Sequence, residues 1–337
     1  IDTSATHLVE QLVCEVTELE AQSGRHLILI AESDLNDPKI VRSQELGGYG
    51  IHAQWSDDFH HALHTVLTGE RDGYYADFGS LADLAKAIER VFVHDGSYSA
   101  FRRRRHGRPP KGILGHSFLG YLQNHDQVGN RAQGERSSHL LSLGKLKIAA
   151  ALVLSAPFIP MFFQGEEWAA SSPFLYFTNH EDAELGRLVT EGRRREFAAF
   201  SAHSDDVPDP QALETFERSK LVWEESSRAP HAEMLDWHRQ LIRLRHEVAA
   251  LSDGRLDRVT VTCDEQAKWL VMARGPIAVA CNLSDCRQRT PLSIGKDARI
   301  VLASDKEIKL VGNGIELAPD SVAIVEAIGN RGSAMRQ

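Results

Sequence analysis

Short apolar runs and helical patterns alternate along the first three quarters of the chain. Runs at residues 26–31, 50–54, 117–122 and 159–163 predict strands, and the continuous apolar character of the first is typical of a buried strand in a parallel sheet. Apolar residues at helical spacing predict helices at 3–23, 59–66, 81–91, 137–155 and 231–251. Asp37-Pro38 predicts a further helix start. Four strand–helix units in series amount to half of a (β/α)8 barrel.

The pattern changes after Ser252 to short β segments separated by turn residues. Strands are predicted at 258–262, 268–273, 277–282, 298–303, 308–310 and 321–327. We therefore predict two domains. Residues 1–251 form a half-barrel with a long polar loop insertion at 173–230, and residues 252–337 form an antiparallel β-sandwich. The four strand–helix units taken alone also fit an open, doubly wound sheet.

Composition narrows the class of protein. The 337 residues carry a formal net charge of −9 with both signs spread along the chain, which argues against nonspecific binding to nucleic acid or anionic membranes. No apolar run reaches membrane-spanning length. Cys14, Cys263, Cys281 and Cys286 lack metal-ligand spacing, so we expect reduced thiols in a cytoplasmic protein, with a Cys281–Cys286 bridge as the minor alternative.

Polar residues collect where the predicted strands end. Glu32 follows the first strand, the segment 54–61 follows the second, and the segment 123–131 follows the third. Active sites of barrel enzymes lie at the carboxyl ends of the strands. Retaining glycosidases need two carboxyl groups about 5 Å apart, one acting as acid and one as nucleophile. Residue type and position make Glu32 a candidate acid, with a capping role at the strand exit as the alternative.

Three other patterns have simpler interpretations. His60 and His64 stand four apart on a predicted helix, but the Glu of an H-E-x-x-H motif and a third ligand are lacking, so we predict no metal site. The run 102–105 is a single arginine loop in an acidic protein, and a solvated or intramolecularly paired loop is favoured over nucleic-acid binding. Asp57 or Asp58 can also serve only as a helix cap.

The motifs at the strand ends carry a family resemblance. Asn124-His125-Asp126 after a strand resembles the last acidic motif of the alpha-amylase superfamily. The longer runs 31–38, 54–61 and 123–131 resemble the malto-oligosyltrehalose trehalohydrolase family, in order and over nearly the whole chain. The resemblance implies the C-terminal half of a (β/α)8 TIM barrel, followed by the β-sandwich. It also implies retaining hydrolysis of the α-1,4 bond between trehalose and a maltooligosaccharide, without a cofactor.

The resemblance also assigns roles to individual residues. Glu32 would be the acid, and Asp126 the carboxylate that binds the 2- and 3-hydroxyls of the distorted sugar. A carboxylate between Glu32 and the nucleophile would also help Glu32 stay protonated near neutral pH. The residues expected to bind substrate are Asp34, Gln54, Trp55, Asp57, Asp58, His61, His125, Asn130 and Arg131.

The family's nucleophile is an Asp on the strand that would precede Ile1. Asp2 is a poor substitute, because it lies at a predicted helix start beyond that position. We therefore expect that this chain alone does not complete the double displacement and that it requires the N-terminal half of the barrel. One alternative is another glucan hydrolase or branching enzyme of the superfamily, which would release no trehalose. The other is a noncatalytic glucan-binding chain, for which the upstream position would hold a neutral residue.

Overall fold

The structure is a computed structural model that describes residues 2–198, 207–293 and 297–328. Its helices are α1 (Leu8–Ser23), α2 (Asp57–Thr68), α3 (Leu81–Arg90), α4 (His125–Gly129), α5 (Ser137–Leu140), α6 (Leu143–Ser155), α7 (Ala183–Ala198), α8 (Leu213–Arg218), α9 (His231–Glu247) and α10 (Ala249–Ser252). Its strands are β1 (Ile30–Ala31), β2 (Ala53–Trp55), β3 (Tyr98–Ser99), β4 (Arg104–Arg105), β5 (Phe118–Gly120), β6 (Ile159–Pro160), β7 (Val259–Asp264), β8 (Trp269–Arg274), β9 (Ile277–Asn282), β10 (Gln288–Pro291), β11 (Ala298–Ala303), β12 (Lys309–Val311), β13 (Gly314–Leu317) and β14 (Ser321–Ala327).

The chain folds into two compact units. The first comprises Ile1–Tyr121, Ile148–Met161 and Leu241–Gln337, and the second comprises Leu122–Lys147 and Phe162–Gln240. The predicted domain boundary after Leu251 falls within the first unit, and the division into 1–251 and 252–337 stays a prediction.

A four-stranded parallel sheet in the first unit confirms the predicted strand series. The strand order is β1-β2-β5-β6, and all neighbouring strands run parallel. The register pairs Ala31 with Gln54, Trp55 with Leu119, and Gly120 with Pro160. Because the strands are parallel, the residues that follow β1, β2 and β5 leave the same edge of the sheet.

The predicted burial of the first strand is wrong. The strand β1 lies at the edge of the described sheet, and Ile28 and Ile30 are more than half exposed, at 57% and 51%. The preceding helix also begins later than predicted, at Leu8 instead of residue 3. Three of its apolar positions, Leu8, Leu12 and Leu19, are exposed. Its buried residue is Val13, which packs with residues 40 and 51.

Three helix predictions need correction for local reasons. Asp37-Pro38 starts a turn instead of a helix, and the Asp37 carboxylate accepts a hydrogen bond from the Lys39 N–H at 3.0 Å. The predicted helix 137–155 is split into α5 and α6, because the Ser142 hydroxyl accepts the Lys145 N–H at 3.2 Å and starts a new helix. The predicted helix 231–251 is likewise split at residue 248, whose backbone is extended.

Aromatic and aliphatic side chains fill the space between the parallel sheet and its helices. Phe59 of α2 meets Phe158 edge-to-face with ring centroids 5.2 Å apart, and both are fully buried. Phe118 of β5 contacts Phe92 in the same way at 5.5 Å. Within the first unit, Leu152 of α6 is also fully buried. These contacts hold the strand ends that carry the candidate site residues.

The C-terminal residues form two antiparallel sheets, as the short β segments separated by turn residues predict. The larger has the order β11-β14-β9-β8-β7 and the smaller the order β10-β13-β12. Ala280 and Val325 of the larger sheet share a buried core with Ile315 and Leu317 of the smaller one. The strands β10 and β13 were not predicted from the sequence.

The segment predicted as a loop insertion, 173–230, lies in the second unit and contains helical structure. It carries α7 and α8, and part of it falls outside the described residues. The helix α7 was missed because its apolar pattern is weak: Leu185 and Leu188 are exposed among many charged residues. Its Arg193 nevertheless makes a contact that bears on the candidate site, described below.

Candidate active site

Glu32 directly follows β1, as predicted, and its side chain is exposed. The backbone beside it is held by Gln54 of β2, which is fully buried and donates a hydrogen bond from Nε2 to the Ser33 carbonyl at 3.0 Å. Within the described residues, the Gln54 Oε1 is buried and has no hydrogen-bond partner. The hydrogen bond from Gln54 to the Ser33 carbonyl therefore supports the backbone next to Glu32.

Asp57 and Tyr121 form a buried hydrogen-bonded pair within the first unit. The Tyr121 hydroxyl donates to the Asp57 carboxylate, and Trp55 packs edge-on against the Tyr121 ring at 5.9 Å. Burial raises the pKa of Asp57 to about 6, against the lowering effect of the tyrosine hydrogen bond. The charges of Asp34 and Glu32 also raise the pKa of Asp57.

Asp58 is buried, and its carboxylate accepts hydrogen bonds from main-chain and side-chain groups. Its Oδ2 accepts hydrogen bonds from the Val93 N–H at 2.7 Å, the His94 N–H at 2.9 Å and the Asn36 side chain at 2.9 Å. Burial raises the pKa of Asp58 to about 6, while these donors oppose the rise. The interpretation of Asp57 or Asp58 as a mere helix cap is wrong, because the N-cap residue of α2 is Ser56 and both aspartates lie inside the first turn of the helix.

Asp34 is held in place by Arg102 of the arginine run and by His106. Arg102, in the hairpin of β3 and β4, forms an ion pair with the Asp34 carboxylate at 2.9 Å, and the His106 Nε2 donates to the Asp34 carbonyl at 2.8 Å. The expectation of intramolecular pairing in the arginine run is confirmed for Arg102. In the same run, the Arg105 guanidinium donates to the Gly96 carbonyl at 3.0 Å.

His61 is buried in a cluster of rings on α2. Its Nδ1 lies 2.9 Å from the Nδ1 of His60, and its ring stacks on Tyr74 with centroids 4.9 Å apart. Burial lowers the pKa of His61 to about 3, so the ring is neutral at physiological pH. His64 instead pairs with Glu70 at 2.7 Å. Across the described part of the chain, no three His, Cys, Asp or Glu side chains are arranged to hold a metal ion.

His125 and Asp126 lie in the second unit, at the start of the short helix α4. Asn124 caps this helix: its side chain accepts the N–H groups of Asp126 at 2.8 Å and Gln127 at 3.3 Å. The Gln127 side chain in turn accepts the Asn124 N–H at 3.1 Å, which completes a capping box. The cap buries Asn124 and leaves His125 and Asp126 exposed, with the His125 Nε2 3.5 Å from a carboxylate oxygen of Asp126.

The other two predicted residues of this motif are tied down at the far end of α4. Arg193 of α7 donates to the Asn130 side chain at 3.0 Å and to the Gly129 carbonyl at 2.9 Å. Arg131 pairs with Glu135 at 3.6 Å. The first unit therefore brings together Glu32, Asp34 and the residues 54–61, and the second brings together the residues 125–131. The roles of all of them stay predictions.

Comparison with known proteins gives this arrangement a family. A malto-oligosyltrehalose trehalohydrolase of Mycobacterium tuberculosis is 47% identical over 329 residues, which cover 97% of this chain and 56% of that protein. Another, from Rhizobium sp. (strain M-11), is 44% identical, with 96% of this chain and 54% of that protein covered. The chain belongs to the malto-oligosyltrehalose trehalohydrolase family. It spans about half the length of these curated relatives.

The fold comparison agrees with the alpha-amylase type of this family. A crystal structure described as a putative alpha amylase from Salmonella typhimurium matches with a TM-score of 0.83 and 32% identity, over 97% of this chain and 55% of that chain. The sequence profile of a family described as a domain of unknown function (DUF3459) matches residues 254–324, in the two C-terminal sheets. A search of the described residues for a helix long and apolar enough to cross a membrane finds none.

Two buried ionisable residues of the second unit, Glu166 and Arg136, were not among the site residues predicted from the sequence. Glu166 is buried, and burial raises its pKa to about 8, although the Phe163 N–H, the Gln123 side chain and the charge of Arg136 oppose the rise. Arg136 is fully buried and donates to the carbonyls of Gln164 and Ser172, each at 2.7 Å. The sequence signal for Glu166 is its place just after the strand predicted at 159–163.

Proposed function

We propose that the protein containing this chain releases trehalose from maltooligosyl trehalose by hydrolysing the α-1,4 bond next to the trehalose end. The observation that carries the proposal is the position of Glu32. It stands at the carboxyl end of a parallel strand, and its charge acts on Asp57 together with that of Asp34. The family relationship supplies the substrate class, since the relatives are named for this reaction.

In the proposed mechanism, a carboxylate nucleophile attacks the anomeric carbon while Glu32 gives its proton to the departing glycosidic oxygen of trehalose. Glu32 then takes a proton from water as the water attacks the glycosyl-enzyme intermediate, which restores both groups and retains the anomeric configuration. We place the nucleophile outside these 337 residues, as the resemblance implies. No cofactor enters either step.

The remaining residues would hold the sugar. Exposed Asp126 and His125 are suited to bind hydroxyl groups, because the cap at Asn124 fixes the backbone beneath them without using their side chains. Trp55 offers a ring for stacking on a glucose face. Gln54 and Asp58 would support this site mainly by holding its backbone in place, because their buried side chains form hydrogen bonds with main-chain groups.

Replacing Glu32 tests the proposal. The assay follows trehalose release from maltooligosyl trehalose by this chain extended to the full length of its relatives. Glu32→Gln removes the transferable proton, and we expect turnover to fall by about 10²–10⁴-fold while the glucan still binds. Glu18→Gln, on the exposed surface of α1, is the matched control and should keep full activity. Substantial activity in Glu32→Gln would refute the acid assignment.

The same assay addresses the chain by itself. We expect no trehalose release from the 337 residues alone, because the nucleophile would be missing. Measurable release by the isolated chain would overturn that expectation and move the search for the nucleophile to the carboxylates of the chain itself.

A further inference from the structure

The second unit contains a cavity lined by aromatic rings that none of the predicted site residues occupies. Its volume is about 510 Å³, within the range of about 300–1,000 Å³ that is usual for small-molecule sites. We call it the aromatic groove. It is lined by Gln164, Phe174, Phe177, Phe216, Ser219, Lys220, Leu221 and Trp223.

Three of the rings that line the aromatic groove contact one another in series, and three of its aromatic residues are exposed. Phe174 and Phe177 lie 5.9 Å apart, and Phe177 and Phe216 lie 5.1 Å apart, between ring centroids. Phe177, Phe216 and Trp223 are 36%, 41% and 66% exposed. Single exposed apolar residues are common on protein surfaces, whereas several that line one cavity mark a binding site.

The floor of the aromatic groove is fixed by buried hydrogen bonds. The guanidinium of Arg136 donates to the Gln164 carbonyl at 2.7 Å and lies over the Phe163 ring, 5.1 Å from its centroid. The Ser219 hydroxyl accepts the Leu175 N–H at 3.0 Å and donates to the Thr215 carbonyl at 2.9 Å. A floor held in this way needs little ordering when a ligand binds.

Gly165 keeps the chain close at the base of the aromatic groove. Its φ is +83°, a conformation that side chains rarely adopt, and a Cβ atom there would lie 2.6 Å from Leu221. The positive φ and the close approach to Leu221 explain why a glycine follows Gln164.

The chemistry of the aromatic groove fits a sugar better than a purely apolar ligand. Gln164 and Lys220 supply polar groups at its edge, and the Lys220 ammonium lies over the Phe216 ring at 4.8 Å. A glucose ring presents an apolar C–H face for stacking and hydroxyl groups at its rim for such donors. The ring planes also differ in direction, by 72° and 69° along the series, which suits an α-1,4-glucan whose successive residues turn relative to one another.

We propose that the aromatic groove binds a segment of α-1,4-glucan through Phe177, Phe216 and Trp223. The choice of glucan rests on the proposed function, while the presence of a sugar site rests on the rings and the cavity. The site serves affinity for the glucan chain, and the residues around Glu32 and Asp126 serve bond cleavage.

Calorimetric titration of the 337-residue chain with maltoheptaose tests this proposal without requiring turnover. Phe216→Ala and Trp223→Ala should each weaken binding by about tenfold, which is typical for removal of an aromatic anchor. Trp223→Phe should restore most of the affinity. Tyr98→Ala removes an exposed ring of the first unit, 63% exposed in the wild type, and should bind as the wild type does.

Thermal melting by circular dichroism verifies that each variant is folded. Cellohexaose, a β-1,4-glucan of similar size, should bind much more weakly than maltoheptaose. Equal affinities in the wild type and both alanine variants would overturn the proposal, and so would an absence of maltoheptaose binding by the wild type. Failure of trehalose release with binding intact would instead count against the proposed function alone.

Discussion

Buried carboxyl groups dominate the electrostatics of individual residues in both units. Burial raises the pKa values of Asp57 and Asp58 to about 6, and that of Glu166 to about 8. Each group is ionised at a cost that hydrogen bonds only partly offset. Near neutral pH, Glu166 therefore holds its proton, whereas Asp57 and Asp58 lose theirs just below neutrality.

Glu166 makes the stability of the protein fall as the pH rises. Its pKa is raised from 4.5 to about 8, so the folded state binds more protons than the unfolded state between these values, and the stabilisation is complete below pH 4.5. Glu166→Gln removes this titrating group, so the decline in unfolding free energy between pH 4.5 and pH 8 should be smaller by about 4 kcal/mol. Urea unfolding at several pH values measures the slope. Glu166→Asp keeps a carboxyl group and should retain a decline, and equal slopes for wild type and Glu166→Gln would contradict the assignment.

The sequence predicted which residues lie at the strand ends but not the hydrogen bonds that they form within the protein. Nothing local to Asp58 indicates that its partners are residues 93, 94 and 36, because they approach only after α2 and the following loops have packed. The same holds for Tyr121, which belongs to the strand predicted at 117–122 and whose hydroxyl donates to the Asp57 carboxylate. Contacts between residues distant in sequence are set by the fold, and one sequence carries no direct signal of them.

At the scale of elements, the short helix α4 depends on its cap. A five-residue helix has too few internal hydrogen bonds to be stable alone, so the two bonds to the Asn124 side chain matter. We expect Asn124→Ala to cost about 1 kcal/mol locally. Amide hydrogen exchange at Asp126 and Gln127 should accelerate about fivefold as a result. Asn124→Asp can still cap and should exchange as the wild type does; unchanged exchange in Asn124→Ala would contradict this role of the cap.

Patterns predicted elements well where periodicity and turn residues agreed. The strands β9, β11 and β14 have the predicted bounds, and the turn at Gly312-Asn313 joins β12 to β13. The apolar run at 26–31 misled because a continuous run normally indicates burial, whereas β1 stands at the end of the strand order in the described sheet and its residues alternate in exposure. Helix breaks at residues 142 and 248 were also missed, since an apolar period persists across a short interruption.

At the scale of the whole molecule, Arg274 joins elements that are far apart in the sequence of the first unit. From β8, its guanidinium donates to the carbonyls of Ser155, at the end of α6, and of Leu251 and Asp253. Arg274 is 3% exposed, so these bonds are shielded from water. The interactions tie the larger antiparallel sheet to the elements that end near the parallel sheet.

Removing Arg274 should destabilise the chain strongly. Arg274→Ala leaves buried carbonyl groups without donors, and we expect a loss of about 3 kcal/mol in unfolding free energy. Arg299→Ala is the control, because Arg299 pairs with Glu326 at 2.6 Å on an exposed surface, where such a pair contributes under about 1 kcal/mol. Urea unfolding followed by circular dichroism compares the two. Similar losses of unfolding free energy in both variants would contradict the claim that the buried hydrogen bonds of Arg274 stabilise the chain.

The central claim concerns the product of the whole protein, and product analysis tests it most directly. The chain, extended to the full length of its relatives, is incubated with maltooligosyl trehalose and, separately, with a maltooligosaccharide of equal length. We predict trehalose together with the shortened maltooligosaccharide in the first reaction, at a rate far above any cleavage in the second. Products without trehalose, or equal cleavage of both substrates, would contradict the account and indicate another glucan-active enzyme of the alpha-amylase superfamily.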